Sequence, residues 1–161
     1  MVTHPDFRFL LAHPAHFLAC GMGSGLSPIV PGTAGTLFGW LLYALIRPQF
    51  SEAGFAILLT AGFVLGVFAC ERTGRALGAA DHGAIVWDEI VPFWLVLLFT
   101  PAGWRWQLTA FVLFRIFDIV KPHPARWIDN HVKNGLGVML DDLVAALYTL
   151  VALALLKRLL A

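Results

Sequence analysis

Ten ionisable side chains that could share chemistry fall within one polar stretch, Phe114–Asp142: Arg115, Asp118, Lys121, His123, Arg126, Asp129, His131, Lys133, Asp141 and Asp142. Arg115, Asp118 and Lys121 are spaced i, i+3, i+6, which lines them along one side of a helix. A second acidic group, Asp81 with Asp88-Glu89, lies upstream, and seven of the ten acids in the chain sit between Asp81 and Asp142. Apolar sequence borders these groups, so their charges are costly: an acid at mid-bilayer costs roughly 2.5–3.5 kcal/mol on insertion scales. A divalent cation or a phosphate would offset that cost. Oxygen ligands without cysteine or a paired-histidine motif suit Mg²⁺. Carboxylates around Mg²⁺ with Arg and Lys opposite are an arrangement for phosphoryl transfer. A carboxylate would then deprotonate a water or attack phosphorus itself, and the residues leave both routes open.

Taken singly, each residue has a structural explanation. Asp88 and Glu89, or Asp141 and Asp142, would be favoured by the dipole at a helix start. Arg115–Asp118 could be an interior ion pair, with Lys121 extending outward. His82, His123 and His131 read as structural or interfacial, and Trp87, Trp94 and Trp127 as packing or interface anchors. The recurrence of acids at Asp88/Glu89, Asp118 and Asp141/Asp142 on one membrane face that also carries Arg and Lys is what the separate explanations leave unexplained.

The elements that must hold these residues are membrane helices. The chain has 161 residues, 59% apolar and 13% charged, with net charge +1. Soluble domains carry about 45–50% apolar and 25% charged residues. The balance gives no case for nucleic acid, and Cys20 and Cys70 are too few for a zinc site or disulfide framework. His13, Pro14 and His16 interrupt the apolar run before Cys20, which argues against a signal peptide.

One domain over residues 1–161 is expected, all-α, with about five membrane-embedded helices and short amphipathic helices at the cytoplasmic face. Thr33 is expected to cap a helix over Ala34–Ile46, after an irregular Gly25–Thr33 segment. Ser51 caps the next helix; its Ala53–Cys70 portion has 18 residues without a charge, and Gly78 stops it. A helix over Ile85–Phe99 follows, kinked near Pro92, then one over Trp106–Val120 stopped by Lys121-Pro122. A short amphipathic piece covers Ala125–Val132, Asn134–Gly137 breaks it, and the last helix runs Val138–Leu160. Lys and Arg number seven on the side of the polar stretches and four on the other, which makes that side cytoplasmic.

Four ordered motifs, Gly-Ser-Gly-Leu-Ser-Pro-Ile-Val-Pro-Gly-Thr (Gly23–Thr33), Asp-His-Gly-Ala-Ile-Val-Trp-Asp-Glu (Asp81–Glu89), Phe-Arg-Ile-Phe-Asp-Ile-Val-Lys-Pro (Phe114–Pro122) and Gly-Val-Met-Leu-Asp-Asp (Gly137–Asp142), resemble the bacterial phosphatidylglycerophosphatase A family. The resemblance implies an integral inner-membrane enzyme with its active site facing the cytoplasm. It implies Mg²⁺-dependent hydrolysis of phosphatidylglycerophosphate to phosphatidylglycerol and phosphate. Carried over by motif, Asp81, Asp88, Glu89, Asp118, Asp141 and Asp142 become candidate metal ligands, with Asp88, Glu89, Asp118 and Asp142 catalytic. Thr33, Arg115, Lys121 and Arg126 become candidate substrate-binding residues, and Gly32 belongs to the first motif. The chain departs from the resemblance at Pro92, where the family carries a small residue. The rival reading is a small membrane transporter or ion-binding subunit using the same acids as a path. Its acids would line a route across the membrane rather than converge at one surface.

Overall fold

A computed structural model describes residues 4–160, and among them every regular element is helical. Two short helices, α1 (Phe7–Ala12) and α2 (Pro14–Ala19), lead into an irregular 3₁₀ segment over Gly21–Leu26. Then come α3 (Pro31–Ile46), α4 (Glu52–Leu77), α5 (Trp87–Phe99), α6 (Trp104–Val120), α7 (Ala125–His131) and α8 (Gly135–Leu160). Two of them, α4 and α8, are 26 residues each and are long and apolar enough to cross a membrane. At 1.5 Å per residue each reaches about 39 Å. Shorter runs form α3, α5 and α6, with 16, 13 and 17 residues.

Helix α5 is the axis of the bundle. Ten of its residues, Trp87–Trp94 with Val96 and Leu97, are buried, so it is covered on all sides. Such close cover needs small partners. Gly35 and Gly39 on α3 stand four apart, as do Gly62 and Gly66 on α4, and α5 packs against both pairs. A Cβ at Gly39 would meet Ile90 at 3.2 Å, one at Gly62 would meet Val91 at 3.3 Å, and one at Gly66 would meet Trp87 at 2.7 Å. The indoles of Trp87 and Trp94 donate to the carbonyls of Gly62 and Gly39, at 2.9 and 2.8 Å. Both Trp residues are therefore packing anchors with their one donor satisfied. The outer faces of α3, α4, α6 and α8 expose leucine, isoleucine and phenylalanine, Leu45 and Ile57 at 71% and Phe68 at 69%. Apolar surface on that scale requires a non-aqueous surround.

The helix ends differ from expectation at three places that matter for the site. Thr33 does not cap α3. The helix starts at Pro31, whose fixed φ suits a first helical position, after Val30 in the left-handed region (φ 44°), and no side chain caps it. Helix α5 begins at Trp87 rather than Ile85, and Asp81 lies in the loop before it. Finally, α8 starts at Gly135 rather than Val138. Asn134 accepts from Gly137 N at 3.0 Å and Glu71 of α4 accepts from Gly135 N at 2.6 Å, so the first amides are capped from two directions. The glycines expected to break the chain instead permit contact: a Cβ at either would collide with backbone of Val67 or Val132. Elsewhere the expected ends hold to within two residues, α6 starting at Trp104 and α7 ending at His131. Ser51 caps α4 through Gly54 N, Gly78 ends it with φ 75°, and Pro122 follows the end of α6.

Candidate active site

The chain alternates direction, so the start of α3, the end of α4, the start of α5, the end of α6 and the start of α8 meet at one end of the bundle. That end carries the acids. Asp88, Glu89, Asp118, Asp141 and Asp142 are all buried there, while Asp81 is exposed in the loop above. The later start of α8 puts Asp141 and Asp142 at its seventh and eighth residues, beyond the first turn where the helix dipole acts. The dipole explanation for that pair therefore fails.

The cluster has three corners. In the first, Arg115 bonds Glu89 at short range and Asp118 at 2.9 Å. Thr36 donates to Glu89 at 2.6 Å and stands 3.2 Å from the same guanidinium. A methyl at Gly32 would collide with the Glu89 carboxylate and Arg115, so this first-motif glycine is the close neighbour of both. Thr33, a candidate substrate-binding residue, is the half-buried third residue of α3; the hydroxyl against Glu89 belongs to Thr36, one turn further into the helix.

The second corner is built on Lys121. Its ammonium lies 2.5 Å from Asp141, 3.6 Å from Asp129 and 3.7 Å from Asp81. Lys121 adopts φ 46°, a left-handed turn before Pro122, and from there its side chain turns into the cluster instead of outward. Burial opposes its charge, but Asp141, then Asp142 and Asp81, outweigh burial and hold the ammonium above its ordinary range. Asp81, Asp129 and Asp141 each offer an oxygen within 4.8 Å of the others, a spacing that one divalent cation can bridge. Asp129 belongs to the polar stretch singled out in the sequence but was not carried over as a candidate metal ligand; it also pairs with Lys133 at 3.6 Å.

The third corner has no cation. Asp88 and Asp142 lie close enough to Asp118 and Asp141 for their charges to act on one another. Among the described residues neither Asp88 nor Asp142 has a salt-bridge partner within 4.0 Å. Two buried atoms nearby lack any hydrogen-bond partner: Asp88 Oδ1, an acceptor, and Arg115 Nε, a donor. Buried polar atoms are ordinarily paired.

Arg126 does not join the cluster. It is exposed on α7 and donates to Val120 O at 2.8 Å. The histidines are structural: His82 accepts from Ala84 N in its turn, His123 O accepts from Tyr148, and His131 stacks on Trp127.

Comparison with known sequences agrees with the four motifs. Residues 17–157 match the family described as Phosphatidylglycerophosphatase A. The chain belongs to the phosphatidylglycerophosphatase A family. It is 43% identical over 142 residues to the phosphatidylglycerophosphatase A of Escherichia coli K12, covering 86% of this chain and 80% of that one. It is 42% identical over 150 residues to the phosphatidylglycerophosphatase A of Haemophilus influenzae, covering 92% of each. No solved structure matches the chain significantly.

As a member of this family the protein is a phosphoric monoester hydrolase in the membrane. Its acid cluster fits a divalent cation on two grounds: the donors are all carboxylate oxygens, as a hard cation requires, and the corner around Asp88 has an unpaired acceptor with no protein cation to meet it.

Proposed function

We propose that the protein removes the terminal phosphate of phosphatidylglycerophosphate at this end of the bundle, with Mg²⁺ as cofactor. The observation that carries the reading is the pair of unsatisfied buried atoms, Asp88 Oδ1 and Arg115 Nε. One needs a cation and the other an anionic oxygen, which a metal-bound phosphate supplies together. Phosphatidylglycerophosphate is the substrate that the names of both relatives give for those proteins.

Asp88, Asp118 and Asp142 would hold the ion, with Glu89, Asp141 and Asp81 completing the acidic surround. Bound Mg²⁺ would neutralise phosphate charge and favour ionisation of a water near it. Arg115, fixed by Glu89 and Asp118, directs its free Nε–H toward phosphate oxygens, and Lys121 adds positive charge from the α8 side. A carboxylate of the cluster takes the proton of the attacking water. The water oxygen joins phosphorus, the P–O bond to glycerol breaks, and the glycerol oxygen leaves with a proton. The products are phosphatidylglycerol and inorganic phosphate.

Placement of acids at helix ends keeps charge near the headgroups while the substrate's tails stay in lipid. We take α3, α5 and α6 to be membrane-embedded with the spanning α4 and α8, in one domain of the bacterial inner membrane. The Lys/Arg excess on that side supports a cytoplasmic acidic end. The transporter reading is the weaker one, since α8 carries no acid after Asp142 and α4 none between Glu52 and Glu71. The deciding experiment is phosphate release from phosphatidylglycerophosphate by purified protein in detergent. Release with Mg²⁺ and none in chelator is expected; equal rates in both would reject the metal, and no release in either would reject the phosphatase.

A further inference from the structure

Asp88, Val91, Pro92 and Leu95 are spaced i, i+3, i+4, i+7, so one stripe of α5 begins at the uncompensated acid and continues in apolar residues. On α8, Met139, Asp142 and Leu143 repeat the i, i+3, i+4 pattern. Met139 closes against Gly66 of α4, where a Cβ would meet its sulfur at 2.8 Å. Beyond that contact, residues of α4, α5 and α8 line an opening. The opening is a cleft of about 280 Å³ whose floor is Val91 and Pro92 and whose sides include Thr60, Val64, Leu95 and Leu143. Its one side-chain hydroxyl, on Thr60, donates back to Ala56 O at 2.9 Å, and the other lining side chains are apolar. Val64 and Thr60 are exposed at its lip.

We propose that this cleft seats one acyl chain of the lipid whose phosphate is held at Asp88 and Asp142. The proposal rests on the phosphatase reading above. Continuity decides the occupant. The cleft starts one helical turn from Asp88 and at the residue after Asp142, and it runs away from the charged end along the bundle. A molecule anchored by phosphate at the acids and carrying a hydrocarbon chain fits both parts; a headgroup alone does not fill the second. Moving a chain from lipid into an apolar cleft gains little, since both surroundings are apolar. The cleft therefore orients the substrate rather than tightening it, and fixes which direction the phosphate presents.

The test is thiol labelling of Thr60→Cys, Val64→Cys and, as a control outside the cleft, Leu65→Cys. Native Cys20 and Cys70 are buried and stay unlabelled. Labelling is followed in Mg²⁺ with excess dioleoyl phosphatidylglycerophosphate, with its deacylated headgroup, or with dioleoyl phosphatidylcholine, and phosphate release is measured in parallel. The diacyl substrate should slow labelling at positions 60 and 64 roughly fivefold once the site is mostly filled, and leave position 65 unchanged. The other two compounds should slow none. Equal slowing by phosphatidylcholine would make the cleft an unselective lipid seat and overturn the proposal. Phosphate release with unslowed labelling at 60 and 64 would overturn it while leaving the enzyme reading intact. No phosphate release from the parent protein would remove the enzyme reading, and the assignment of the cleft with it.

Discussion

The corner at Arg115 and the corner at Asp88 meet α5 at adjacent residues, Glu89 and Asp88, and solve opposite problems. Glu89 has a guanidinium and a hydroxyl of the protein against it. Asp88, its neighbour, has an oxygen buried with nothing against it. Adjacent helical residues point about 100° apart, so the two carboxylates enter different spaces, one furnished with a cation by α6 and one not. A buried charge lacking a partner is strongly destabilising. Its persistence beside a corner where both carboxylates meet a guanidinium fits the proposed reading, in which the missing charge comes from outside the chain.

That contrast is broken most directly by neutralising each side. Asp88→Asn should lower phosphate release by about a thousandfold or more, because on the proposed reading Asp88 holds the cation that the reaction needs. It should also raise the thermal midpoint in chelator, since an uncompensated acid is gone. A drop in the midpoint, or retained activity, would show that Asp88 is ordinarily paired. Mg²⁺ should raise the midpoint of the parent protein by mass action and leave Asp88→Asn nearly unmoved; an equal rise in both would separate the metal from this corner.

Arg115→Ala acts on the paired side. It strands Glu89 and Asp118, and breaking a buried pair by removing one partner costs about 3–5 kcal/mol. Urea unfolding or thermal denaturation in detergent should show that loss whether or not metal is present. Stability unchanged by Arg115→Ala would mean that the first corner also depends on the bound cation.

The large-scale plan was legible in the sequence because apolar runs and their stops are local properties. Ala53–Cys70 lacks charge, Gly78 follows it, and Pro122 closes α6, so those ends were predictable from residue chemistry alone. The start of α8 was not, because Glu71 of a distant helix caps it. Likewise the Gly35/Gly39 and Gly62/Gly66 pairs gain meaning only once α5 lies between them. Within the site, acids at Asp88, Glu89, Asp118, Asp141 and Asp142 stood out because charge in apolar sequence is conspicuous. Thr36 and Asp129 did not, since a threonine in a helix and an acid beside basic residues are ordinary until a fold places them against Glu89 and Lys121.

Lys121 offers a sharper version of the same comparison. Lys121→Met should free three carboxylates, Asp81, Asp129 and Asp141, whose oxygens already lie within 4.8 Å of one another. The variant should gain a second, weaker Mg²⁺-dependent rise in thermal midpoint at higher metal concentration, along with reduced phosphate release. Absence of the second rise would mean that the three acids part once the ammonium is gone.

Arg126→Ala is the smallest expected change and the cleanest control on geometry. Its guanidinium is exposed and donates to Val120 O at the end of α6. An exposed hydrogen bond of this kind contributes about 0.5–1.5 kcal/mol at most. Sequence order puts Arg126 in the same basic run as Arg115 and Lys121, yet α7 turns it to the surface beside Trp127 while they turn inward. Phosphate release should therefore fall by no more than about threefold, a difference of under 1 kcal/mol in the barrier. A loss as large as that expected of Asp88→Asn would mean that α7 swings toward the acids when lipid binds, and that the phosphate is gripped from the surface as well as from within.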